Sequence, residues 1–567
     1  MQLSPIGIKL LQRRYLKKKT DGSMETPEEL FWRVATTAAQ PEPAHKRQEM
    51  AEKFYNLMFK LEFLPNSPTL INAGQPLNQL AACFVLPVED SIEDIFTAVK
   101  NAALVHKSGG GTGFDFSKLR PKNTLVTTTG GLASGPVSFI KVFDAATTAI
   151  KQGGTRRGAN MAVLRVDHPD ILEFIEAKSK PGQLVNFNFS VGITDKFIKA
   201  VKENNFFPLT YKGKTYNTIA AKDILHRIAF NSWQNGEPGV LFLDTINATN
   251  PTPVQGFIAA TNPCGEQPLL PYEACILGSI NLEKMATQHE INWVKLGQVI
   301  SVAIRFLDNL IDVSDYPLPE IGKITMQNRK IGLGIMGWAN LLYKLAIPYD
   351  SQTALNLAEK VMSFIQANAH NTSGSLALEK GSFPAIDGSI YHGTPMRNAT
   401  CTTIAPTGSL SLIADTSPGI EPVFALAFRK KALGEEINYM INPVFKETIE
   451  QQYSTSQYNM IMEQIIKTGS VQNCSILESE QKRVFVTAPE IPPEWHIRMQ
   501  AAFQKFCDNA VSKTINLAPQ TKIEEIENMF ILAHNLKCKG LTVYRAGSRQ
   551  KEAQQAGVIA TNNFNAI

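Results

Sequence analysis

From "LPNSPTLINAG" onward the chain alternates short apolar runs with amphipathic helical stretches. That alternation constrains the fold more than any other feature, because strands separated by helices assemble into layered α/β architectures. In "DSIEDIFTAVKNAALVHKSGGGTGF", Asp90 and Ser91 stand at the cap of a helix that ends in glycines. "HPDILEFIEAKSK" reads as helix, "PGVLFLDTIN" as a buried strand leading to a turn, and "SQTALNLAEKVMSFIQANAHNTSGSLALEKG" as one or two helices. Ahead of the alternation lies a stretch of helical periodicity, in which "ETPEELFWRVATTAA" opens with a capping Thr and seats Pro at the first helical position. After "YRAGSR" the periodicity is lost. The expected organisation is an N-terminal helical region over 1–62, an α/β body over 63–549 and a flexible tail over 550–567.

Composition narrows the function. The 567 residues are 44% hydrophobic and 19% charged, the balance of a soluble globular protein. A net charge of +5 is mild and spread along the chain, which suits small anionic ligands. Beyond "RRYLKKK", which reads as one basic helix face, no block of Lys and Arg is long enough to track a nucleic-acid backbone. There is no apolar stretch of membrane-spanning length and no cleavable signal pattern, so a cytoplasmic protein is expected. The seven cysteines lie at 83, 264, 275, 401, 474, 507 and 538, with no CxxC and no zinc-ligand spacing. No HExxH occurs, and the single ExxH match, Glu42 to His45, sits between prolines; no metal site is expected. An odd count in an unsecreted chain argues against a disulfide framework, which leaves redox or radical work for any functional thiol.

Four motifs carry candidate chemistry. "NPCGEQPLLPYEAC" puts Asn262, Cys264 and Glu266 at alternate positions, and in an extended segment such residues converge on one ligand. Taken alone, the motif has a buried structural Cys beside a solvent-facing Glu as its default reading, which the rest of the chain has to overturn. "IGLGIMG" fits G-x-G-x-x-G through Gly332, Gly334 and Gly337, with Asp350 at the distance of a ribose-binding acid. The preceding "TMQNRK" is a poor buried strand, however, so these glycines read better as close packing at a helix entry, and Asp350 with Ser351 as the next helix cap. "KQGGTRRGAN" could contact phosphates or a base through Arg156 and Arg157, or be a surface turn. "APTGSLS" offers an anion site if a helix starts there, and an ordinary cap otherwise.

Together and in order, these pieces resemble the catalytic large subunit of ribonucleotide reductase, most closely the dimeric, adenosylcobalamin-dependent class II type. The resemblance is carried by "NSPTLINAG", "ACFVLPVEDSIEDI", "GGGTGFDFSKLRP", "GGTRRGANMAVL", "NPCGEQ", "RKIGLGIMGWANLLYKL", "APTGSLSLIADTSPGIEP", "NAVSKTINL" and "CKGLTVYRAGSR". It implies a ten-stranded α/β barrel of two five-stranded halves with a central finger loop, preceded by the helical region.

By position in the family motifs, the resemblance implies that Cys264 carries a thiyl radical, Glu266 is the general base on the substrate 3′-hydroxyl and Asn262 holds the substrate hydroxyls. Cys83 and Cys275 map to the pair that is oxidised to a disulfide. Thr69, Ala82, Gly111 and Pro406, Thr407, Gly408 and Ser409 map to the ribonucleotide site. Asp90, Ser91, Ile92 and Arg120 map to a site for an allosteric deoxynucleotide or ATP, and Arg156 to the loop that relays its choice of base. Cys401, Cys474, Cys507 and Cys538 match no catalytic position, and buried packing is expected of each.

The resemblance further implies a homodimer, adenosylcobalamin as cofactor and diphosphate substrates. A class I type subunit served by a separate radical-generating protein carries adjacent tyrosines near its C-terminus; here "LTVYRAGS" has Tyr544 alone. The helical start leaves no room for an ATP-cone domain, so overall activity control by ATP and dATP is not expected. The family's closing cysteine pair has no counterpart after Cys538, so either the sequence is a truncated one, or a tail-bearing polypeptide supplies the pair, or an external thioredoxin-type reductant reaches Cys83 and Cys275 itself. Two other readings stay open at this point: a nicotinamide-dependent oxidoreductase, resting on "IGLGIMG", and a catalytically silent nucleotide-binding subunit.

Overall fold

The computed structural model describes residues 3–127, 130–152, 156–287, 290–432, 435–548 and 554–556. Three helices open the chain, Pro5–Arg14, Pro27–Ala38 and Arg47–Phe59. The second starts as its sequence requires: Glu29 N–H donates to the Thr26 hydroxyl at 3.2 Å, and Thr26 N–H donates to the Glu29 carboxylate at 2.8 Å.

The body is a closed ring of strands. Its first half runs β1 (Cys83–Val85), β2 (Gly111–Asp115), β3 (Asn160–Arg165), β4 (Phe187–Ile193) and β5 (Gly239–Phe242), each parallel to the next. In the second half β6 (Ala274–Asn281) pairs in parallel with β7 (Ile331–Met336). Parallel bridges from Leu333 to Thr402 and from Ile404 to Val511 carry the ring on to β8 (Thr514–Leu517), which pairs in parallel with β9 (Gly540–Arg545). The halves meet antiparallel at both seams, Cys83 opposite Cys275 and Val240 opposite Leu541. Phe63–Pro65 adds antiparallel to the far end of β6.

β6 and β7 are buried along their whole lengths, as strands must be when helices cover one face and something fills the other. What fills the ring is a hairpin, Ala260–Thr261 paired with Pro268–Leu269. It passes so close to β2 that a Cβ on Gly113 would sit 1.7 Å from the Thr261 carbonyl oxygen. Only glycine admits the hairpin there.

Three expectations need correction. "IGLGIMG" is itself the buried strand β7, not a turn after one, and a Cβ on Gly334 would lie 2.5 Å from the Thr403 carbonyl oxygen. Its glycines therefore serve strand approach, and only Gly337 stands at a helix entry, that of Trp338–Lys344. The dinucleotide reading loses its structural basis, because that fingerprint needs the glycines after the strand. "PGVLFLDTIN" leads from β5 into the helix Leu243–Ala248 rather than a turn, and "HPDILEFIEAKSK" forms only the short helix Ile171–Ile175. Gln352–Lys380 is one helix, capped by Ser351. Among the described residues no helix is long and apolar enough to cross a membrane. Most of the expected tail lies outside the described residues; Gln554–Ala556 pairs with Phe428–Lys430.

Candidate active site at the hairpin tip

The hairpin turns at Pro263, Cys264 and Gly265. Asn262, Cys264 and Glu266 do line one chamber, of about 110 Å³, together with Cys83. The cause differs from the one their spacing suggested: the residues flank a tight turn instead of alternating along a strand. Gly265 N–H donates to the Asn262 carbonyl at 3.1 Å and Gln267 N–H to Asn262 Oδ1 at 3.0 Å. Both halves of the ring hold this turn. Asn188 on β4 donates to the Pro263 carbonyl at 2.7 Å, while the Thr403 hydroxyl and the Ala510 N–H donate to the Glu266 carbonyl at 3.0 and 2.9 Å. Cys264, at the tip, is exposed; the other six cysteines are buried, and all seven are unbridged.

Burial pushes the Glu266 carboxyl up to about 7. One of its oxygens faces Cys83 Sγ at 3.8 Å, and the other has no partner among the described residues. A buried carboxyl that titrates near neutrality with an oxygen to spare is suited to taking and returning a proton. Asn262 Nδ2 donates to Cys83 Sγ at 3.0 Å. Burial raises both the Cys83 and Cys275 thiols well above the usual range, and at Cys83 the Glu266 carboxyl adds to it. Both therefore rest protonated, as hydrogen donors rather than nucleophiles. They are direct partners across an antiparallel seam, where Cα atoms lie about 4.5–5.5 Å apart, inside the range a disulfide spans.

Two further cavities meet at Cys264. A cleft of about 460 Å³ runs from Cys264 and Glu266 past Ala82, the Asn66–Pro68 wall and Pro406, Thr407, Gly408 and Ser409, with Arg14 also in its lining. Thr69 is fully buried instead; its hydroxyl donates to the Leu80 carbonyl at 3.0 Å and so braces that wall. Gly111 lines the chamber beside Cys83 rather than the cleft. "APTGSLS" supplies a loop and the five-residue helix Leu410–Ala414. The second cavity, about 130 Å³, touches Cys264 and is lined by Gly236, Ser512, Gly540, Leu541 and Thr542.

With its thiol at a hairpin tip inside a ring of two five-stranded parallel halves, the chain can be set beside known proteins. A family model described as "Ribonucleotide reductase, barrel domain" matches residues 81–394 and 391–544, and one described as "Ribonucleotide reductase, all-alpha domain" matches 1–78. The chain belongs to the ribonucleotide reductase family. It is 47% identical over 566 residues to a vitamin B12-dependent ribonucleoside-diphosphate reductase of Thermoplasma acidophilum, covering 99% of this chain and 73% of that one. It is 46% identical over 559 residues to a protein of the same name from Mycobacterium tuberculosis, covering 97% and 79%. Its fold is similar to that of the Actinobacillus ureae class Id ribonucleotide reductase alpha subunit, with a TM-score of 0.79 at 24% identity over 96% of this chain and 97% of that one.

In this ribonucleotide reductase chain the residues expected to bind an effector form a separate corner. Arg120 Nε donates to both Asp90 oxygens at 3.0 Å, Arg120 N–H donates at 3.0 Å and the Tyr211 hydroxyl at 3.1 Å. Burial pushes the Asp90 carboxyl up, but the Arg120 bonds outweigh it and hold the group below the usual range. The Ser91 hydroxyl caps the helix Ile92–Lys107, and Ile92 is 63% exposed on its first turn. Arg156 lies on a short strand opposite Gln152, and its side chain lies outside the described residues.

Sequence reasoning missed several residues. Tyr211 belongs to the hairpin Phe206–Tyr211 and Lys214–Ala220; the Lys-Gly turn in "TYKGKTY" signals a hairpin but not its docking on Asp90. Arg14 was legible only as part of a basic face. His370, Cys401 and Asp508 place ligand atoms within 4.8 Å of one another, a grouping no spacing motif revealed. Asp508 there accepts from Gln366, His370 and the Cys401 and Thr402 N–H groups, so it pins the strand that holds Glu266.

Proposed function

We propose that this chain reduces ribonucleoside diphosphates to deoxyribonucleotides through a thiyl radical on Cys264, with adenosylcobalamin as cofactor. The observation that carries the proposal is the convergence of Cys264, Glu266, Asn262 and Cys83 on one chamber, with Cys275 as the cross-strand partner of Cys83. Hydroxide is a poor leaving group, and a radical on the adjacent 3′-carbon lowers the barrier to its departure from the 2′-carbon. The Cys264 sulfur takes the 3′-hydrogen and later returns it. Glu266, with its pKa near 7, accepts the 3′-hydroxyl proton, and Asn262 holds the sugar hydroxyls. Cys83, the thiol nearer Glu266, protonates the departing 2′-hydroxyl. Cys83 and Cys275 then give up two electrons as their disulfide forms, so ribonucleotide and two thiols become deoxyribonucleotide, water and disulfide. The Pro406–Ser409 loop and Arg14 suit the phosphate end, and the named activity of the 46–47% identical relatives supports a diphosphate.

When bound, adenosylcobalamin supplies the one-electron chemistry that leaves the radical on Cys264. The cavity of about 130 Å³ beside the exposed sulfur admits only the part of the cofactor nearest Cys264, and there its glycines and Ser512 leave room, while Leu541 and Thr542 stand in the lining with no tyrosine among the described residues. Gly236, Gly540 and Thr542 would face the cofactor. The same feature counts against a class I type subunit, which needs a tyrosine relay at this place.

An effector nucleotide at the Asp90–Arg120 corner fits a site whose acid and base are already fixed, with Ser91 and Ile92 at the adjoining helix start. Ile92, Phe96 and Leu104 expose apolar surface along that helix, which supports a homodimer formed through it. A reducing, cytoplasmic setting with a thioredoxin-type or tail-bearing reductant suits seven unbridged cysteines. Anaerobic incubation with adenosylcobalamin, dithiothreitol, an effector and a ribonucleoside di- or triphosphate tests the whole reading. Deoxynucleoside diphosphate is expected. Product only when a separate radical-generating subunit is added, or only from triphosphates, would overturn the corresponding part.

A further inference from the structure

Lys330 and Glu273 form an ion pair at 2.7 Å with each side chain 1% exposed. Glu273 also accepts from Asn328 Nδ2 and the Leu270 N–H, both at 2.6 Å. A buried pair of this kind adds little net stability, because desolving both charges offsets their attraction. Its place in the barrel supplies another reason for it.

Side chains two apart on a strand share a face, so Cys275 and Leu277 both point into the ring, and Glu273 stands just ahead of the strand's first residue. β7 lies parallel to β6 with Ile331 opposite Ile276, so Lys330, the residue just ahead of that first pair, falls level with Cys275. Gly332 shares the inner face of Leu277: a Cβ there would lie 2.6 Å from the Leu277 side chain. The two redox sulfurs thus have different neighbours. Cys83 faces the Glu266 carboxyl, whereas Cys275 has the Lys330 cation beside it, with Glu273 and, farther off, Glu266 as the other charged groups and Tyr316 within reach. Cys83 also lines the chamber that opens to Cys264, while Cys275 is fully buried and lines neither that chamber nor the cleft.

We infer that Lys330 is a positioning residue for reopening the Cys83–Cys275 disulfide, making Cys275 the sulfur that departs. The inference rests on the redox-pair reading given above. A thiolate of an external dithiol attacks Cys83, the Cys83–Cys275 bond breaks, and the electron pair leaves on Cys275 as a thiolate beside the Lys330 ammonium. Cys275 then takes up one proton, in place of the one the attacking thiol released. The second thiol of the reductant attacks the mixed disulfide and frees Cys83, so the dithiol ends as its own disulfide and both enzyme thiols are restored. A sulfur leaves faster when its thiolate is stabilised.

The test uses the full chain after a single anaerobic turnover and removal of reductant. Dithiothreitol is then added at pH 6 to 9, and the Cys83 and Cys275 thiols are followed by quenched alkylation and mass spectrometry. Lys330→Met with Glu273→Gln removes both charges together, avoiding a stranded buried carboxylate, and should reopen the disulfide about three- to tenfold more slowly. Glu273→Gln alone leaves the lysine unneutralised and should reopen it faster than the wild type, most clearly at low pH. A merely structural pair would slow both variants or neither, and either result overturns the inference. Absence of any Cys83–Cys275 disulfide in the wild type after turnover would instead overturn the redox-pair reading, and the two failures are distinguishable.

Discussion

Glu266, at the base of the hairpin tip, has one oxygen facing a thiol and the other unpartnered, whereas Asp90, at the effector corner, accepts from the Arg120 guanidinium, the Arg120 N–H and Tyr211. The same chemical group is driven in opposite directions. Burial with few donors takes Glu266 up to about 7, while Arg120 takes Asp90 below its ordinary range. A carboxyl left short of donors can move a proton; one saturated with them holds a shape. Their contributions to stability have opposite signs as well. Glu266 is neutral in both folded and unfolded chains below the ordinary glutamate range. Stability is lost as pH rises from there to about 7, by roughly 3 kcal/mol when fully ionised. Asp90 adds stability above the ordinary aspartate range, and that is lost as pH falls through its lowered value.

If the hairpin tip is where the chemistry happens, the largest effect belongs to Cys264. Cys264→Ser should reduce deoxynucleotide formation and cofactor-linked hydrogen exchange to background, while equilibrium dialysis shows nucleotide binding intact. Measurable turnover by that variant would remove the hairpin tip from the mechanism. Next come the buried thiols. Cys83→Ser and Cys275→Ser should keep hydrogen exchange, and so the radical on Cys264, but fail at repeated turnover with a dithiol. Retained multiple turnover in either would break the pairing across the β1–β6 seam. Because Cys275 is wholly buried and Cys83 nearly so, a small dithiol should sustain the wild type far better than thioredoxin with its reductase. Equal rates on the two would show that the disulfide is open to a protein-sized reductant.

Glu266→Gln sharpens the contrast from the acid side. It should lower kcat by about 10²- to 10⁴-fold and abolish the rising limb of the pH–rate profile near 7. It should also stabilise the fold at pH 8 relative to the wild type, and not at pH 4, in urea titrations. A variant less stable at both pH values would mean that the carboxylate serves packing rather than proton transfer.

The alternation of apolar runs and helices was enough for an α/β body, but not for the strand count. β7 hides in the sequence because two of its six residues, Gly332 and Gly334, are glycines, and glycine in a strand marks a close backbone approach that only the fold reveals. The stretch Thr402–Ile404 closes the ring through isolated bridges, too short to read as a strand. At the site, Asn262, Cys264 and Glu266 were legible because a tight turn keeps them within five residues. Tyr211 on Asp90, Asn188 on Pro263 and Lys330 on Glu273 were not, since these partners are 121, 75 and 57 residues apart. Ion pairs and hydrogen bonds of that separation leave no periodic trace, and the resemblance to a family supplied roles only for positions inside its motifs.

The smallest expected effect lies at the effector corner, and it tests whether Asp90 is saturated in order to recognise a nucleotide or only to hold Arg120. Asp90→Ala frees the Arg120 guanidinium and the Tyr211 hydroxyl at once. If the corner binds an effector, the change in base preference that deoxynucleotides produce should shrink by about 5- to 150-fold, the usual range of coupling between two sites, while the rate without effector changes little. Competition assays with mixed ribonucleotides, with and without each deoxynucleotide, measure both quantities in one series. Arg120→Gln, which removes the other partner of the same ion pair, should reproduce the loss if recognition needs the pair. A wild type whose base preference ignores every effector would leave Asp90 a structural carboxylate, differing from Glu266 only in its donors.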